Sequence, residues 1–270
     1  MYITAQQWQK YRESGYLLIT SYFTSEEIDL IRNELPSLFN REGPQRVLEG
    51  NGLVRSVYGV HASNDLCAKL VRLPRLLEPA IHILGSDVYV YQSKINAKLG
   101  MGGDVWEWHQ DFIFWHKEDG LVEPRIINMA IWLDDVNEFN GPLMFIPASH
   151  HLGMIDVHIS QDQMMPQGSD TWSRDVSSKL KFALNSVSIR TLAKKNGIEA
   201  PKGPRGSLLI FDSNVFHASS SNMSPEDRAV LLITYNSVEN PPLSGKSSRP
   251  TFLVSQDCKA LQALPSDSLF

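Results

Sequence analysis

Residues 87–98 read DVYVYQSKINAK, a stretch rich in β-branched and aromatic side chains in which apolar and polar residues alternate. This pattern predicts a strand with one buried face. Similar short runs follow along the chain, separated by turns that contain glycine or proline; they lie at 105–109, 127–133, 142–146, 207–211 and 229–236. Many short strands joined by such turns predict a mainly β fold, a sandwich or a barrel.

Helical patterns precede the strands, in residues 1–85, and flank the predicted β core at 86–270. Residues 4–14 form the first such pattern, and Thr24 with the glutamate three positions later forms a capping box that begins a second helix. A third helix is predicted from about 66 to 84, although two prolines interrupt it. We expect one domain with both parts.

Residues 152–203 interrupt the rhythm of short strands because they are polar, and helical over about 173–195. An insertion of this length in a compact domain is usually functional. We therefore predict a lid that lies over one end of the barrel and closes over bound substrate.

The composition is that of a soluble globular protein, with 270 residues, 42% of them hydrophobic and 20% charged. The formal net charge of −5 argues against a nucleic-acid partner, because phosphate recognition needs clustered basic residues. No apolar run approaches the ~20 residues of a membrane helix, and the first residues lack the apolar region of a signal peptide. Two cysteines far apart in sequence fit a reducing compartment, so we expect a cytoplasmic protein.

The segment WEWHQDF, residues 106–112, carries the start of a predicted metal site. His109 and Asp111 are two positions apart, which on a strand places both side chains on one face. An imidazole beside a carboxylate is two-thirds of a facial triad that holds Fe(II) and leaves three coordination positions open. His217, which follows an apolar strand in LLIFDSNVFHASSSN, is our candidate for the second histidine.

Arg228 stands eleven residues after His217, at the head of the strand AVLLITYN. A hairpin between these two strands would bring Arg228 deeper into the same barrel, where its guanidinium could hold a dicarboxylate. Ser219 lies on the same side as His217 by strand alternation and could add a hydrogen bond. An open-faced metal beside an Arg-Ser clamp describes a site for 2-oxoglutarate.

Over nearly its whole length the sequence resembles the phytanoyl-CoA dioxygenase superfamily of Fe(II)/2-oxoglutarate oxygenases, and within it the ectoine hydroxylases and the free L-leucine 5-hydroxylases. The resemblance is carried by five runs, QSKIN (92–96), WHQDFIFWHKEDG (108–120), NGPLMFIPASH (140–150), YNSVEN (235–240) and RPTF (249–252). It implies a double-stranded β-helix (jelly-roll) core with flanking helices, and an enzyme that uses Fe(II), 2-oxoglutarate and O₂.

The resemblance also implies roles for particular residues. The iron ligands correspond to His109, Asp111 and His217, and the 2-oxoglutarate contacts to Arg228, Ser219 and Asn96. Substrate contacts correspond to Gln92 and Trp115, with Phe211 in the pocket. Ordinary barrel packing is the alternative for Gln92, Asn96 and Trp115, since buried aromatic and amide side chains are common in cores.

Three departures from the ectoine hydroxylases favour an aliphatic pocket. Leu232 stands where they carry an aromatic residue, Asn128 stands where they carry a small hydroxyl residue, and HQDFIFWH replaces HSDFETWH. The leucine-type enzymes resemble this chain at all three places. We therefore predict a small free amino acid as substrate, first L-leucine hydroxylated at C5, with Asn128 and Leu232 among its contacts; ectoine is the alternative.

Two other functions use the same residues. A zinc enzyme of similar fold could use the triad for hydrolysis or isomerisation, but Arg228 and Ser219 argue against it. A catalytically inactive binding module is disfavoured by the intact triad, and Asp111 favours hydroxylation over halogenation, which needs a vacant metal position there. We expect no membrane, nucleic-acid or obligate protein partner.

Overall fold

The computed structural model describes residues 3–156, 171–177, 179–247 and 249–270. It consists of two antiparallel sheets with α-helices packed around them. The α-helices are α1 (Ala5–Ser14), α2 (Ser25–Asn40), α3 (Val60–Ser63), α4 (Asp65–Leu70), α5 (Pro74–Leu84), α6 (Phe112–Asp119) and α7 (Ser186–Asn196). The strands are β1 (Tyr16–Ile19), β2 (Arg46–Leu48), β3 (Val54–Tyr58), β4 (Val88–Lys98), β5 (Trp106–His109), β6 (Ile126–Trp132), β7 (Leu143–Phe145), β8 (Leu208–Asp212), β9 (His217–Ser219) and β10 (Arg228–Ser237).

The strands form two antiparallel sheets. The larger has the order β1-β8-β6-β10-β4-β3-β2, and the smaller has the order β5-β9-β7. Side chains from both sheets line a common cavity, so the sheets enclose it between them. This is the arrangement of a double-stranded β-helix, and the predicted fold class is confirmed.

Strand alternation divides the large sheet into two faces, and β10 shows the division best. Leu231, Ile233 and Tyr235 pack with the helices in the main hydrophobic core. Arg228 and Leu232 point to the opposite face, toward the small sheet and the cavity. The period of two along an extended chain therefore places helix-packing and site-lining residues on the same strand.

All six predicted strands are present, with ends within about one residue of the prediction. Four further strands are present: β1, β2 and β3 extend the large sheet at its two edges, and β9 lies in the middle of the small sheet. They have three to five residues each, too few for periodicity to separate a strand from other buried segments.

Two predictions about connections are wrong. The helix expected over 66–84 is two helices, α4 and α5, because Pro74 occupies the first turn of α5, where its missing N–H costs nothing. The hairpin expected between His217 and Arg228 is absent: β9 pairs with β5 and β7 in the small sheet, whereas β10 lies between β4 and β6 in the large one. Residues 220–227 therefore cross from one sheet to the other.

The described part of the predicted lid packs against the barrel. After α7, Glu199 exchanges backbone hydrogen bonds with Phe145, and Gly203 does so with Val136. Nearer its start, a turn of 3-10 helix covers Thr171–Val176. Residues 157–170 of the predicted lid lie outside the described residues, and closure over substrate stays a prediction. Within the described ranges, no helix combines the length and apolar character needed to cross a bilayer.

Candidate active site

Three side chains converge where strands β5 and β9 of the small sheet lie beside the start of α6. His109, Asp111 and His217 each offer a ligand atom, and these atoms all lie within 4.8 Å of one another. His109 and His217 are opposite each other in the register of β5 and β9. The predicted position of Asp111 on the face of that strand is wrong, because β5 ends at His109 and Asp111 is the N-cap of α6. The turn, rather than strand alternation, brings the carboxylate to the histidines.

Hydrogen bonds to the backbone orient both imidazoles. His109 Nδ1 lies 2.6 Å from the carbonyl of Glu107, and His217 Nδ1 lies 3.0 Å from that of Val215. A carbonyl can only accept, so Nδ1 carries the proton and Nε2 presents its lone pair, the usual arrangement of metal-binding histidines. The Nε2 atoms of His109 and His217 lie 3.5 and 3.7 Å from the Asp111 carboxylate oxygens.

Asn128 holds the Asp111 carboxylate in place. Its Nδ2 donates to Asp111 Oδ2 at 2.8 Å, and its Oδ1 accepts from the Thr234 hydroxyl at 2.7 Å. Both ends of the amide are thus engaged, and Asn128 lines neither of the cavities described below. The structure therefore places Asn128 behind the triad, and the substrate contact predicted for it stays a prediction.

The protonation states of the site suit a divalent cation. Burial, followed by the nearby His109, lowers the pKa of His217 to about 4, so this ring is neutral at pH 7. Burial by itself would raise the pKa of Asp111, but the His217 and His109 rings more than offset burial and hold it well below its usual value. A neutral imidazole and an ionised carboxylate are the forms that coordinate metal, and the donor set fits Fe(II).

On one side of the triad lies a cavity that we call the Arg228 cavity. Arg228 is buried there, and its Nε and Nη2 donate to the carbonyls of Asn140 and Gly141 at 2.9 and 2.6 Å. These two bonds fix the plane of the guanidinium. Ser219 Oγ, also buried at this cavity, has no hydrogen-bond partner among the described residues. The orphaned hydroxyl and the oriented guanidinium fit a bound oxyanion.

The Arg228 cavity carries more positive charge than the sequence analysis assigned to it. Lys94 and Lys98 line it together with Arg228. Burial, followed by the charges of Arg228 and Arg55, lowers the pKa of Lys98 to about 7, and burial lowers the pKa of Arg228 to about 10. Cations buried side by side destabilise one another, so this cavity favours a ligand with more than one negative charge.

On the other side lies a second cavity, which we call the Trp115 cavity. The two cavities share His109, Asp111, Lys94 and Trp106, so the triad stands between them. The remaining lining is mostly aromatic or charged, and consists of Tyr58, Gln92, Phe114, Trp115, Asp175, Val176 and Arg249.

The predicted site residues divide between the two cavities. Asn96, Ser219 and Arg228 line the Arg228 cavity, as do two residues predicted to contact substrate, Phe211 and Leu232. Gln92 and Trp115 line the Trp115 cavity. Phe211 packs against the His217 ring, with the ring centroids 5.1 Å apart, and Leu232 is separated from the Trp115 cavity by the triad. The substrate contacts predicted for both residues stay predictions.

Four charged lining residues were not among the predicted contacts. Lys94 and Lys98 follow from the alternation of β4, which places every second residue from Gln92 on one face, so the sequence did contain their signal. Arg249 begins the RPTF run that supports the resemblance, but the residues around it in the sequence do not indicate what its side chain contacts. Asp175 had no signal, because it comes from the insertion and reaches the cavity only by the path of the folded chain.

The profile of the family described as Phytanoyl-CoA dioxygenase (PhyH) matches residues 11–230. The chain belongs to the phytanoyl-CoA dioxygenase family. Among curated relatives, the L-proline trans-4-hydroxylase of Streptomyces griseoviridis is 39% identical over 263 residues, 96% of each chain. The ectoine dioxygenase of Bordetella bronchiseptica is 37% identical over 98% of this chain and 86% of its own length.

Solved structures agree with the family. EctD from S. alaskensis with 2-oxoglutarate and 5-hydroxyectoine superposes with a TM-score of 0.84 at 28% identity, covering 100% of this chain and 89% of that one. The same protein with bound Fe has a TM-score of 0.81 at 29% identity, covering 97% and 88%. The predicted enzyme class, a non-haem iron dioxygenase that uses Fe(II), 2-oxoglutarate and O₂, is confirmed. The curated relatives named above act on L-proline and on ectoine.

Proposed function

We propose that this family member hydroxylates an aliphatic carbon of a small free amino acid bound in the Trp115 cavity. The observation that carries the proposal is the position of the triad between two different cavities. One is lined by buried cations and suits a dicarboxylate. The other combines an aromatic wall with charged groups and suits a small zwitterion.

His109, Asp111 and His217 would hold Fe(II), which when bound supplies the O₂ activation that hydroxylation of an unactivated carbon needs. The protein's own task is positioning. The carbonyls of Glu107 and Val215 keep the Nε2 lone pairs aimed inward, and Asn128 keeps the carboxylate turned toward them. Such outer contacts strengthen metal binding by orienting the ligands.

The 2-oxoglutarate would lie in the Arg228 cavity, with its distal carboxylate at Arg228. Two of the three guanidinium nitrogens are committed to the Asn140 and Gly141 carbonyls, and Nη1 makes no such bond among the described residues. Ser219 Oγ lies unpartnered at the same cavity. Lys98 would add charge, and Asn96, which accepts a hydrogen bond from Ser56 at 2.8 Å, would pack beside the cosubstrate.

The amino acid would lie with its aliphatic part against Phe114 and Trp115, both of which are buried. Burying a branched aliphatic side chain there contributes roughly 1.5–3 kcal/mol. Gln92, whose Nε2 donates to the carbonyl of Leu253 at 2.8 Å, lines the polar part of the cavity together with Lys94. Polar contacts at one end and an apolar wall at the other fix the orientation of a small ligand.

L-leucine at C5 and L-proline at C4 are the two amino acids that we propose to test first. Leucine follows from the sequence departures at Asn128 and Leu232, but neither residue lines the Trp115 cavity. Proline is supported by the relative that hydroxylates it, which is 39% identical to this chain. Ectoine is the second candidate function because of the ectoine dioxygenases at up to 37% identity.

The experiment is a competition. Purified enzyme with Fe(II), ascorbate and 2-oxoglutarate is given L-leucine, L-proline and ectoine at equal concentration, and mass spectrometry follows the gain of one oxygen. We expect one amino acid to be oxidised with matching release of succinate, and no product from a His109→Ala control. Preferred turnover of ectoine would replace the amino-acid assignment. Absence of succinate release with any substrate would contradict the proposed function as a whole.

A further inference from the structure

We propose that Asp175 accepts a hydrogen bond from the cationic nitrogen of the substrate, so that the enzyme selects molecules with a free ammonium or amidinium group. This inference rests on the proposed function and specifies the polar end of the substrate in the Trp115 cavity.

The first observation is an incomplete set of hydrogen bonds. The Asp175 side chain is 2% exposed and lines the Trp115 cavity. Its Oδ2 accepts from Arg249 Nη1 at 3.3 Å, whereas its Oδ1 is buried without a hydrogen-bond partner in the described part of the chain. Buried carboxylate oxygens without donors are rare because each costs free energy of folding. Oδ1 therefore lacks a donor, and because Asp175 lines the cavity, a ligand bound there would bring one.

The second observation is the charge balance around Asp175. Arg249 uses Nε and Nη2 on both oxygens of Asp119, and Tyr91 and Ser247 donate their hydroxyls to the same carboxylate. Asp119 is thus fully compensated, and Arg249 has only one longer bond left for Asp175. The buried cluster holds one cation and two carboxylates, so it carries one negative charge that a ligand cation would compensate.

The neighbouring charges do not supply that cation. Glu118 and Lys181 act on Asp175 in opposite senses and bind each other at 2.5 Å. Lys94 lines the same cavity, but its amine lies 5.5 Å from the ring centroids of Tyr58 and Trp106 and forms no ion pair with Asp175. The cavity therefore has a cation, Lys94, that is not paired with the carboxylate of Asp175. These two separate charges match the carboxylate and the ammonium group of a zwitterion.

The ionisation of Asp175 agrees with this. Burial raises its pKa to about 6, against the effect of Arg249. A ligand cation at Oδ1 would favour the ionised form. A molecule with the same carbon skeleton but no basic nitrogen would leave Oδ1 without a donor, and sites with buried polar groups reject such analogues strongly.

The test compares ligands that differ only in the nitrogen. Isothermal titration calorimetry without O₂, on enzyme loaded with Fe(II) and 2-oxoglutarate, measures binding of L-leucine against 4-methylpentanoate and of L-proline against cyclopentanecarboxylate. We expect the wild type to prefer the amino acid by about ten-fold to a hundred-fold, the range for a charge-assisted hydrogen bond. In Asp175→Asn this preference should fall to about two-fold, with the KM for 2-oxoglutarate unchanged.

Glu118→Gln is the matched control, because it removes a nearby negative charge from a residue that does not line the cavity. The proposal is overturned if Asp175→Asn keeps the preference for the amino acid, or if Glu118→Gln loses as much of it. Failure of the proposed function has a different signature: the wild type then binds neither amino acid while still consuming 2-oxoglutarate, and the role of Asp175 falls with it.

Discussion

Replacing Arg228 with alanine should raise the KM for 2-oxoglutarate about a hundred-fold or more and change the KM for the amino acid by less than about three-fold. The guanidinium is held by the carbonyls of Asn140 and Gly141, and in the proposed binding mode it pairs with the distal carboxylate of 2-oxoglutarate. Two charge-assisted hydrogen bonds contribute roughly 1.5–3 kcal/mol each, and about 1.4 kcal/mol is ten-fold in affinity. We expect the lower end of the resulting range, because Lys98 remains to attract the anion.

Lysine should rescue this position poorly. It would lose the planar fork and both carbonyl bonds. The same buried surroundings lower the pKa of Lys98 to about 7, so a second amine there would also lose part of its charge at neutral pH. Arg228→Lys should therefore bind 2-oxoglutarate no more than about ten-fold more tightly than Arg228→Ala does.

The assay measures initial rates of succinate formation while one substrate is varied and the other is saturating. Arg205→Ala, which removes an exposed arginine paired with Asp29, is the control. A cosubstrate without the distal carboxylate, 2-oxobutyrate, should react equally poorly with wild type and variant. Equal increases in both KM values would show that Arg228 supports the fold or binds the amino acid, and Arg228→Gln with a thermal melting curve separates these two cases.

Three further predictions concern the metal, the cosubstrate and the stability of the fold. Elemental analysis after loading with Fe(II) should find almost no iron in His109→Ala, whereas Asn128→Ala, which loses an outer contact, should bind iron about 10–100-fold more weakly; full retention by His109→Ala would contradict the metal site. The KM for 2-oxoglutarate should rise above pH 7, where Lys98 loses its proton, and Lys98→Met should show a higher KM without that rise; an unchanged pH profile would exclude Lys98 from binding. Burial raises the pKa of Asp175 to about 6, so its ionisation costs folding stability as pH rises through 6, up to about 3 kcal/mol at about 1.4 kcal/mol per pKa unit. In urea unfolding, Asp175→Asn should be more stable than wild type at pH 8 and lose this advantage at pH 4; lower stability at pH 8 would mean that the bond to Arg249 dominates.

The local sequence was sufficient for six of the ten strands and for the chemistry of the site. Alternation along β4 predicts which side chains share a face, from Gln92 to Asn96, because successive side chains of any extended chain point to opposite sides. It also extends to Lys94 and Lys98, which line the cavities with them. The residue types of the triad predicted a metal site, because two imidazoles and a carboxylate are a specific set of metal ligands in any fold.

Tertiary structure decided which strands are neighbours and what surrounds each group. β9 and β10 are close in sequence but lie in different sheets, because β4 and β6 occupy both edges of β10. A turn brings Asp111 to the histidines, and Asn128 donates a hydrogen bond to Asp111. Asp175 belongs to an insertion far away in sequence and accepts a hydrogen bond from Arg249. Such contacts depend on how the two sheets pack around a core. The free energy of that packing is a sum over residues that are far apart in sequence. The periodicity of a sequence reports only the geometry of a few consecutive residues, so it cannot predict these tertiary contacts.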